Sequence, residues 1–305
     1  MSLRKVTPAL LLPVLLGLSA ASLLGAGAAL DTTSIETITG LKGTYSASEG
    51  VFKVTAPRKD VPVTVDGWKL SPFMGLTSWA AFKSGGKAEG MVMGDLVLFE
   101  DEVNPVMSAA LTHGLEVTAL HNHFFFDQPH VFFMHIGGEG SVAELAAGVH
   151  AALDMVTQIR IKDPDHANKF PGPELPKESA IAAAPLEALL GAKGQANAGM
   201  VKFVFGREAT MECGCSVGKE MGVNTWAVFA GTDDNAIVDG DFAATESELQ
   251  TVLKSLRASG INIVAIHQHM SGETPRFVFL HYWGRGPAVD LAKAIKTTLV
   301  TQGIK

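Results

Sequence analysis

The chain is poor in cysteine, with two in 305 residues, and none precedes Cys213. That scarcity excludes a disulfide-stapled scaffold and leaves no N-terminal thiol to which a lipid could be attached. Charge is sparse too: 18% of residues are charged, 24 basic against 31 acidic, with no long basic run. A nucleic-acid backbone is gripped by clustered Lys and Arg, so nucleic acid is not expected as a partner. Also missing are a phosphate-binding loop, a dinucleotide glycine fingerprint and a serine elbow between strand and helix. GEGS at 138–141 follows a strand-like run but lacks the remaining glycine spacing. With 47% hydrophobic residues, the composition is that of a globular protein long enough for one large domain or two modest ones.

The N-terminus opens with Arg4 and Lys5, continues through an apolar stretch and ends in Ala26-Gly27-Ala28. This pattern predicts a secretory signal over residues 1–28 and a periplasmic or secreted mature protein. Membrane contact is expected only through that segment, should it stay uncleaved. Cys213 and Cys215 flank Gly214. On an extended strand their side chains would stand about 6–7 Å apart, beyond disulfide reach, so pairing requires a turn at Gly214. They read equally as two small buried residues, or as a redox pair or metal ligands.

Laid against itself at an offset of about 146 residues, the chain repeats. His121, His123, Pro129, Phe133 and His135 fall on His267, His269, Pro275, Phe279 and His281 without a gap. Gly94-Asp95 falls on Gly240-Asp241, and one gap brings Trp79 onto Trp226. The reading is of a first α+β repeat over 29–165, a proline-rich linker over 166–180 and a second α+β repeat over 181–305. Each is expected to have an antiparallel or mixed sheet covered by helices. In the second copy, periodicity predicts strands near 223–231 and 236–243, and a helix near 246–258 with Thr245 as N-cap and Glu248 three residues on. The strands INIVAIHQH and RFVFLHYW follow, then a closing helix opened by Pro287. Helices near 101–112 and 141–154 are expected in the first.

Six of the ten histidines occupy matched positions. Period-2 geometry puts His121 with His123, and His267 with His269, on one strand face. If the next strand returns antiparallel, Phe133 lies opposite His121 and His135 is its diagonal neighbour. Imidazoles so gathered point to a transition-metal ion, Zn or Cu first, at His121, His123, His135, His267, His269 and His281. Three ligands leave room for water or a small-molecule substrate. The intervening loops hold Asp127 and Glu273, each a candidate fourth ligand or base for a metal-bound water, or else a solvated loop charge. His130 in one copy stands where Arg276 stands in the other. Arg276 offers a fork for carboxylate or phosphate, and the divergence points to the second copy as the one facing a ligand. Asp95 and Asp241, after glycine, read as turn or cap acids ahead of a catalytic role. Trp79 and Trp226 read as core residues ahead of a binding platform, His113 and His150 as surface residues, and part of Phe124-Phe125-Phe126 as exposed or in contact with the other domain.

TWAVFAGTDDNAIVDGDF, INIVAIHQHMSGETPRFVFLHYWGRGPA and the duplication together resemble the LppY/LpqO family of bacterial lipoproteins, over nearly the whole mature chain and most specifically over 221–300. The resemblance implies no catalytic residues. This sequence departs from the family label in lacking a cysteine at the end of its signal, so secretion rather than lipid anchoring is expected. Three functional readings stay open: a metal-binding protein, a metal-assisted hydrolase of an anionic substrate, and a metal-free ligand-binding module of the cell envelope.

Overall fold

The computed structural model describes residues 30–304; the signal segment expected over 1–28 lies outside them. The first repeat comprises α1 (Thr32–Thr39), β1 (Gly43–Ser46), β2 (Val51–Pro57), β3 (Thr64–Val65), β4 (Trp68–Lys69), β5 (Thr77–Ser84), β6 (Gly90–Phe99), α2 (Glu100–Thr112), β7 (Glu116–Asn122), β8 (Asp127–Gln128), β9 (Val131–Gly140) and α3 (Val142–Lys162). The second comprises α4 (Ala183–Leu190), β10 (Gln195–Asn197), β11 (Met200–Gly206), β12 (Ala209–Thr210), β13 (Ser216–Val217), β14 (Asn224–Gly231), β15 (Ala236–Thr245), α5 (Leu249–Ala258), β16 (Asn262–His267), β17 (Phe277–Gly286) and α6 (Ala288–Thr301). Each repeat mixes helices and antiparallel strands, as an α+β duplication should. None of the described helices is long and apolar enough to cross a membrane.

The local reasons for these elements are plain in the sequence. Helix α3 starts where Ser141 Oγ accepts the Glu144 N–H, and it buries Val142, Leu145, Ala146, Val149, Ala152 and Val156 at helical spacing. Arg160 and Lys162 sit in its last turn, where cations complement the helix dipole. Helix α5 begins at Leu249, later than Thr245 suggested. The Glu248 carboxylate accepts the Thr245 N–H at 2.9 Å and is held by the Arg207 guanidinium, which keeps residues 246–248 in a turn before the helix. The first repeat has the same device. Glu102 accepts the Phe99 N–H and takes both terminal nitrogens of Arg58.

The ten longer strands and the two outermost ones form a single twelve-stranded sheet in the order β1-β2-β5-β6-β9-β7-β16-β17-β15-β14-β11-β10, with every neighbouring pair antiparallel. The repeats therefore share one sheet, joined where Leu120 of β7 pairs with Ile266 of β16. Helices cover one face, and a continuous apolar core beneath them draws residues from both halves. The other face is only partly covered. Val63, Leu70 and Leu76 of a lid over residues 58–76 pack on Val97, Phe99, Val131 and Phe133 in the first repeat. Ala209, Val217 and Val223 of a lid over 207–223 pack on Ala243, Phe277 and Phe279 in the second. Between the lids the middle of that face stays open.

The central pairing alone is short, and side-chain amides extend it. Asn104 of α2 receives the Ile263 N–H at 2.7 Å and donates to the Ile263 carbonyl at 3.1 Å. Gln250 of α5, its counterpart, receives the Val117 N–H at 3.0 Å and donates to the Val117 carbonyl at 2.9 Å. Each amide mimics a missing strand beside a bulge, at Val117/Ala119 and Ile263/Ala265. Buried backbone groups left without such partners cost about 1–3 kcal/mol each. Asn104→Ala, which orphans two groups at a buried position, should lower unfolding free energy in urea by about 2–4 kcal/mol, and Gln250→Ala, half-buried, by about 1–2 kcal/mol. Glu102 is fully buried with two arginines against it. Glu102→Ala strands those cations and should cost about 3–5 kcal/mol in the same titration.

Candidate metal centre

The open face is lined by alternate residues of the central strands. One row across the sheet runs Trp79, Asp95, His135 and Ala119; another runs Ala265, His281, Asp241 and Trp226. Phe133 pairs with His121 and Ala119 with His135, so the hairpin has the register that period-2 reading anticipates. His267 pairs with Phe279 in the second repeat. Small alanines at 119 and 265 stand between the two histidine groups. Both groups thus open into the same stretch of sheet surface.

In the second repeat, ligand atoms of Asp241, His267 and His269 all lie within 4.8 Å of one another. Asp241 Oδ2 is 3.1 Å from His269 Nε2, and Asp241 Oδ1 is 3.9 Å from His267 Nε2. The His281 ring lies 4.8 Å from that of His267, centroid to centroid. Asp241 is only 2% exposed, and its Oδ1 and the His267 Nε2 are buried without a hydrogen-bond partner. Burial pulls the His267 imidazole below its ordinary value, with Asp241 opposing the shift.

The ring orientations are fixed from behind. His269 Nδ1 is 3.2 Å from the Gly222 carbonyl, and His281 Nδ1 is 3.3 Å from the Gly240 carbonyl. A carbonyl only accepts, so each Nδ1 carries the proton and donates it. In the neutral ring Nε2 then bears a lone pair, and that of His269 faces a carboxylate oxygen. His269 also stacks on Phe279, with centroids 3.6 Å apart. Backbone acceptors behind the rings are the usual outer partners of metal-ligating histidines.

The first repeat repeats the motif with a looser result. His135 Nε2 lies 3.0 Å from His121 Nε2, and His123 stacks on Phe133 with centroids 3.4 Å apart. Asp95 Oδ1 is buried and lacks a partner. Burial and the neighbouring His121 lower the His123 imidazole, and Asp95 opposes them. Among the described residues, the second repeat alone gathers a carboxylate and two imidazoles tightly.

The other residues singled out from the sequence lie elsewhere. Asp127 is buried, its Oδ2 accepting the Val131 N–H at 2.6 Å and its Oδ1 lying 3.3 Å from the exposed His130. Glu273 Oε1 accepts the Phe277 N–H at 3.0 Å, while Oε2 is buried with no partner. Both carboxylates close loops that contain a cis peptide, Gln128–Pro129 and Thr274–Pro275. Each loop pairs with its lid, through Val65 with Asp127 and Thr210 with Thr274. Arg276 points to Glu246 at 3.3 Å, both exposed. Phe125 and Phe126 are 81% and 82% exposed.

Two expectations are overturned. Asp95 and Asp241 lie mid-strand at the histidines and are not turn acids. The preceding glycines are there for space, since a Cβ on Gly240 would lie 2.2 Å from Tyr282 Oη, and one on Gly94 2.7 Å from the Trp79 carbonyl. Trp79 and Trp226 are half-buried on the open face, not in the core, with Lys53 Nζ 4.3 Å and Lys202 Nζ 4.6 Å from their ring centroids. Trp226, Lys202, Lys219 and His269 share the wall of a pocket of about 410 Å3 beside the centre. Cys213 and Cys215 form a disulfide across a turn in which Gly214 adopts φ +78°.

Comparison with known proteins adds a family and little else. No curated protein matches the chain. Among solved structures, the crystal structure of a trimeric bacterial microcompartment shell protein PduB aligns over 86% of this chain and 93% of its own, at 11% identity and a TM-score of 0.22. A likeness that weak supports no argument. A family model described as Domain of Unknown Function (DUF1259) matches residues 33–155 and again 184–301, one match on each repeat. The duplication read from the histidines is thus the duplication of a known domain, and the chain belongs to the DUF1259 family.

Proposed function

We propose that this protein binds a transition-metal ion, Zn2+ or Cu2+, through Asp241, His267 and His269, with His281 beside them. The observation that carries the reading is the confrontation of His269 Nε2 with Asp241 Oδ2 at 3.1 Å, given that the Nδ1 proton is already committed to the Gly222 carbonyl. A metal ion that accepts both lone pairs satisfies the contact, and a second proton on the His269 ring is the alternative that the metal measurement below decides for or against. Ligands about 2.0–2.1 Å from a tetrahedral zinc ion stand about 3.3 Å apart, close to what is seen. A buried carboxylate with an orphaned oxygen also requires a counter-charge. His121, His123 and His135 are read as a second, weaker site.

Several finer points belong to the same reading. The chain is taken as a relative of the LppY/LpqO family, exported after cleavage at about residue 28, on the strength of its basic-apolar-small N-terminus. A disulfide at Cys213–Cys215 suits an oxidising compartment. Tagless protein analysed by elemental mass spectrometry should carry zinc or copper, or take up one ion tightly on titration. Saturating metal should raise the melting temperature, by a stabilisation of about 2.7 kcal/mol at a hundredfold excess over Kd. Asp241→Asn and His269→Ala should abolish that rise; uptake and stabilisation unchanged in both variants would overturn the assignment.

A second reading, metal-assisted hydrolysis of an anionic substrate, is favoured by the pocket beside His269. Three protein ligands leave a position for water, and Lys202 and Lys219 offer positive charge next to it. Metal-loaded protein should then turn over a member of an ester, amide and phosphoester panel, with Lys202→Met raising KM more than it lowers kcat. A silent panel leaves metal binding without hydrolysis.

A further inference from the structure

Where the two repeats meet their linker lies a cavity of about 620 Å3, walled by the start of α2, the linker, the end of α5 and the strands β16 and β17. Three cations line it: Arg257 of α5, Arg285 at the end of β17 and Lys169 of the linker. Arg257 is the anomaly. Its guanidinium donates to Ser108 Oγ at 3.0 Å, the Ile261 carbonyl at 2.7 Å and Asn262 Oδ1 at 3.0 Å, all of them neutral. Among the described residues no carboxylate pairs with it. Burial pulls it down to about 10, with no acid to offset the shift. Charges withdrawn from water are ordinarily paired, so an arginine held this way lacks a counter-ion.

The surroundings sharpen the point. Arg285 spends its terminal nitrogens on the Phe170 and Pro173 carbonyls of the linker, and its Nε is buried without a partner. Of the two acids at the cavity, Asp101 is engaged by Arg160 and the Ala167 N–H, which leaves Glu100 alone against three cations. Pro105, Phe170 and Pro171 add apolar wall. The volume falls in the range of small-molecule sites, whose specificity rests on a few polar groups set in apolar walls.

We propose that this cavity at the repeat junction is a binding site for a small organic anion, a carboxylate or phosphate carried on a compact apolar body, with Arg257 as its principal contact. Ser108, Ile261 and Asn262 occupy Nε and Nη1, and the two N–H groups of Nη2 are the ones left to donate to either oxyanion. The linker roof, anchored by Arg285, closes over the ligand's apolar part. None of the histidines of the metal centre lines this cavity, although Glu100, Asn104 and Phe170 of its wall also border the neighbouring pocket that His281 lines.

Calorimetric titration of the chelator-treated full chain with inorganic phosphate and with benzoate tests it, the two arms separating a phosphate from a carboxylate preference. Saturable binding at millimolar or lower concentration is expected for at least one of them. Loss of a charge-assisted contact implies weakening on the order of tenfold or more in Arg257→Gln. Arg257→Lys keeps the charge but not the Nη2 donors, and it bears the test if the glutamine variant does not fold. The double variant His267→Ala/His269→Ala should bind as the wild type does. No saturable binding of either anion, or affinity unchanged in both Arg257 variants, overturns the site. Affinity lost only with the histidines would place the anion at the metal centre, which also overturns it.

Discussion

The structure depends on covering one sheet edge. Strands β7 and β16 end the central hairpins of their repeats, and each would otherwise present bare N–H and C=O groups to solvent. They meet each other instead, through the Leu120–Ile266 pair, and the bulges beside it are closed by the amides of Asn104 and Gln250. The helix of one repeat completes the hydrogen bonding of the other. That reciprocity merges the two cores into one layer under the helices. It also fixes where the histidines go, because the residues next to the seam alternate between core and open face. Leu120 and Ile266 point to the core, so His121 and His267 point away from it.

The open face then becomes a problem in electrostatics. An aspartate at 2% exposure, facing imidazoles whose outer nitrogens are held by backbone carbonyls, belongs to a group that could hold a metal ion. The lids leave this region uncovered while burying Phe133 and Phe279 on either side. Those two rings are stacking platforms for His123 and His269, which ties each HxH motif to the apolar packing beneath its lid. The Arg58–Glu102 and Arg207–Glu248 forks anchor the lids at their starts, and the same carboxylates hold the backbone N–H groups of Phe99 and Thr245 that lead into the following helices.

Much of this was legible in the sequence because it rests on short-range rules. The gapless repeat of three histidines, one proline and one phenylalanine exposed the duplication, and strict alternation set the register of His121 against Phe133. The aspartates were missed because a glycine-aspartate step resembles a turn. Only the tertiary position of Tyr282, packed against Gly240, reveals that the glycine serves close approach inside a strand. The tryptophans were misplaced for a related reason: a strand of alternating apolar residues does not say which face is core, and Trp226 took the face of Asp241. The seam left no local trace, since a single paired position and two side-chain amides carry it. Arg257 was silent too, because absence of a partner is a property of three dimensions.

The seam has a consequence for descent. Either half by itself would end in an uncovered border whose best complement is an identical border, related by a two-fold rotation. The present chain is therefore a symmetric pair written into one polypeptide. Covalent union releases the halves from identity while keeping their mutual dependence. The departures at His130 against Arg276, and at Phe73 against Glu220 in the lids, are differences that a true homodimer could not hold.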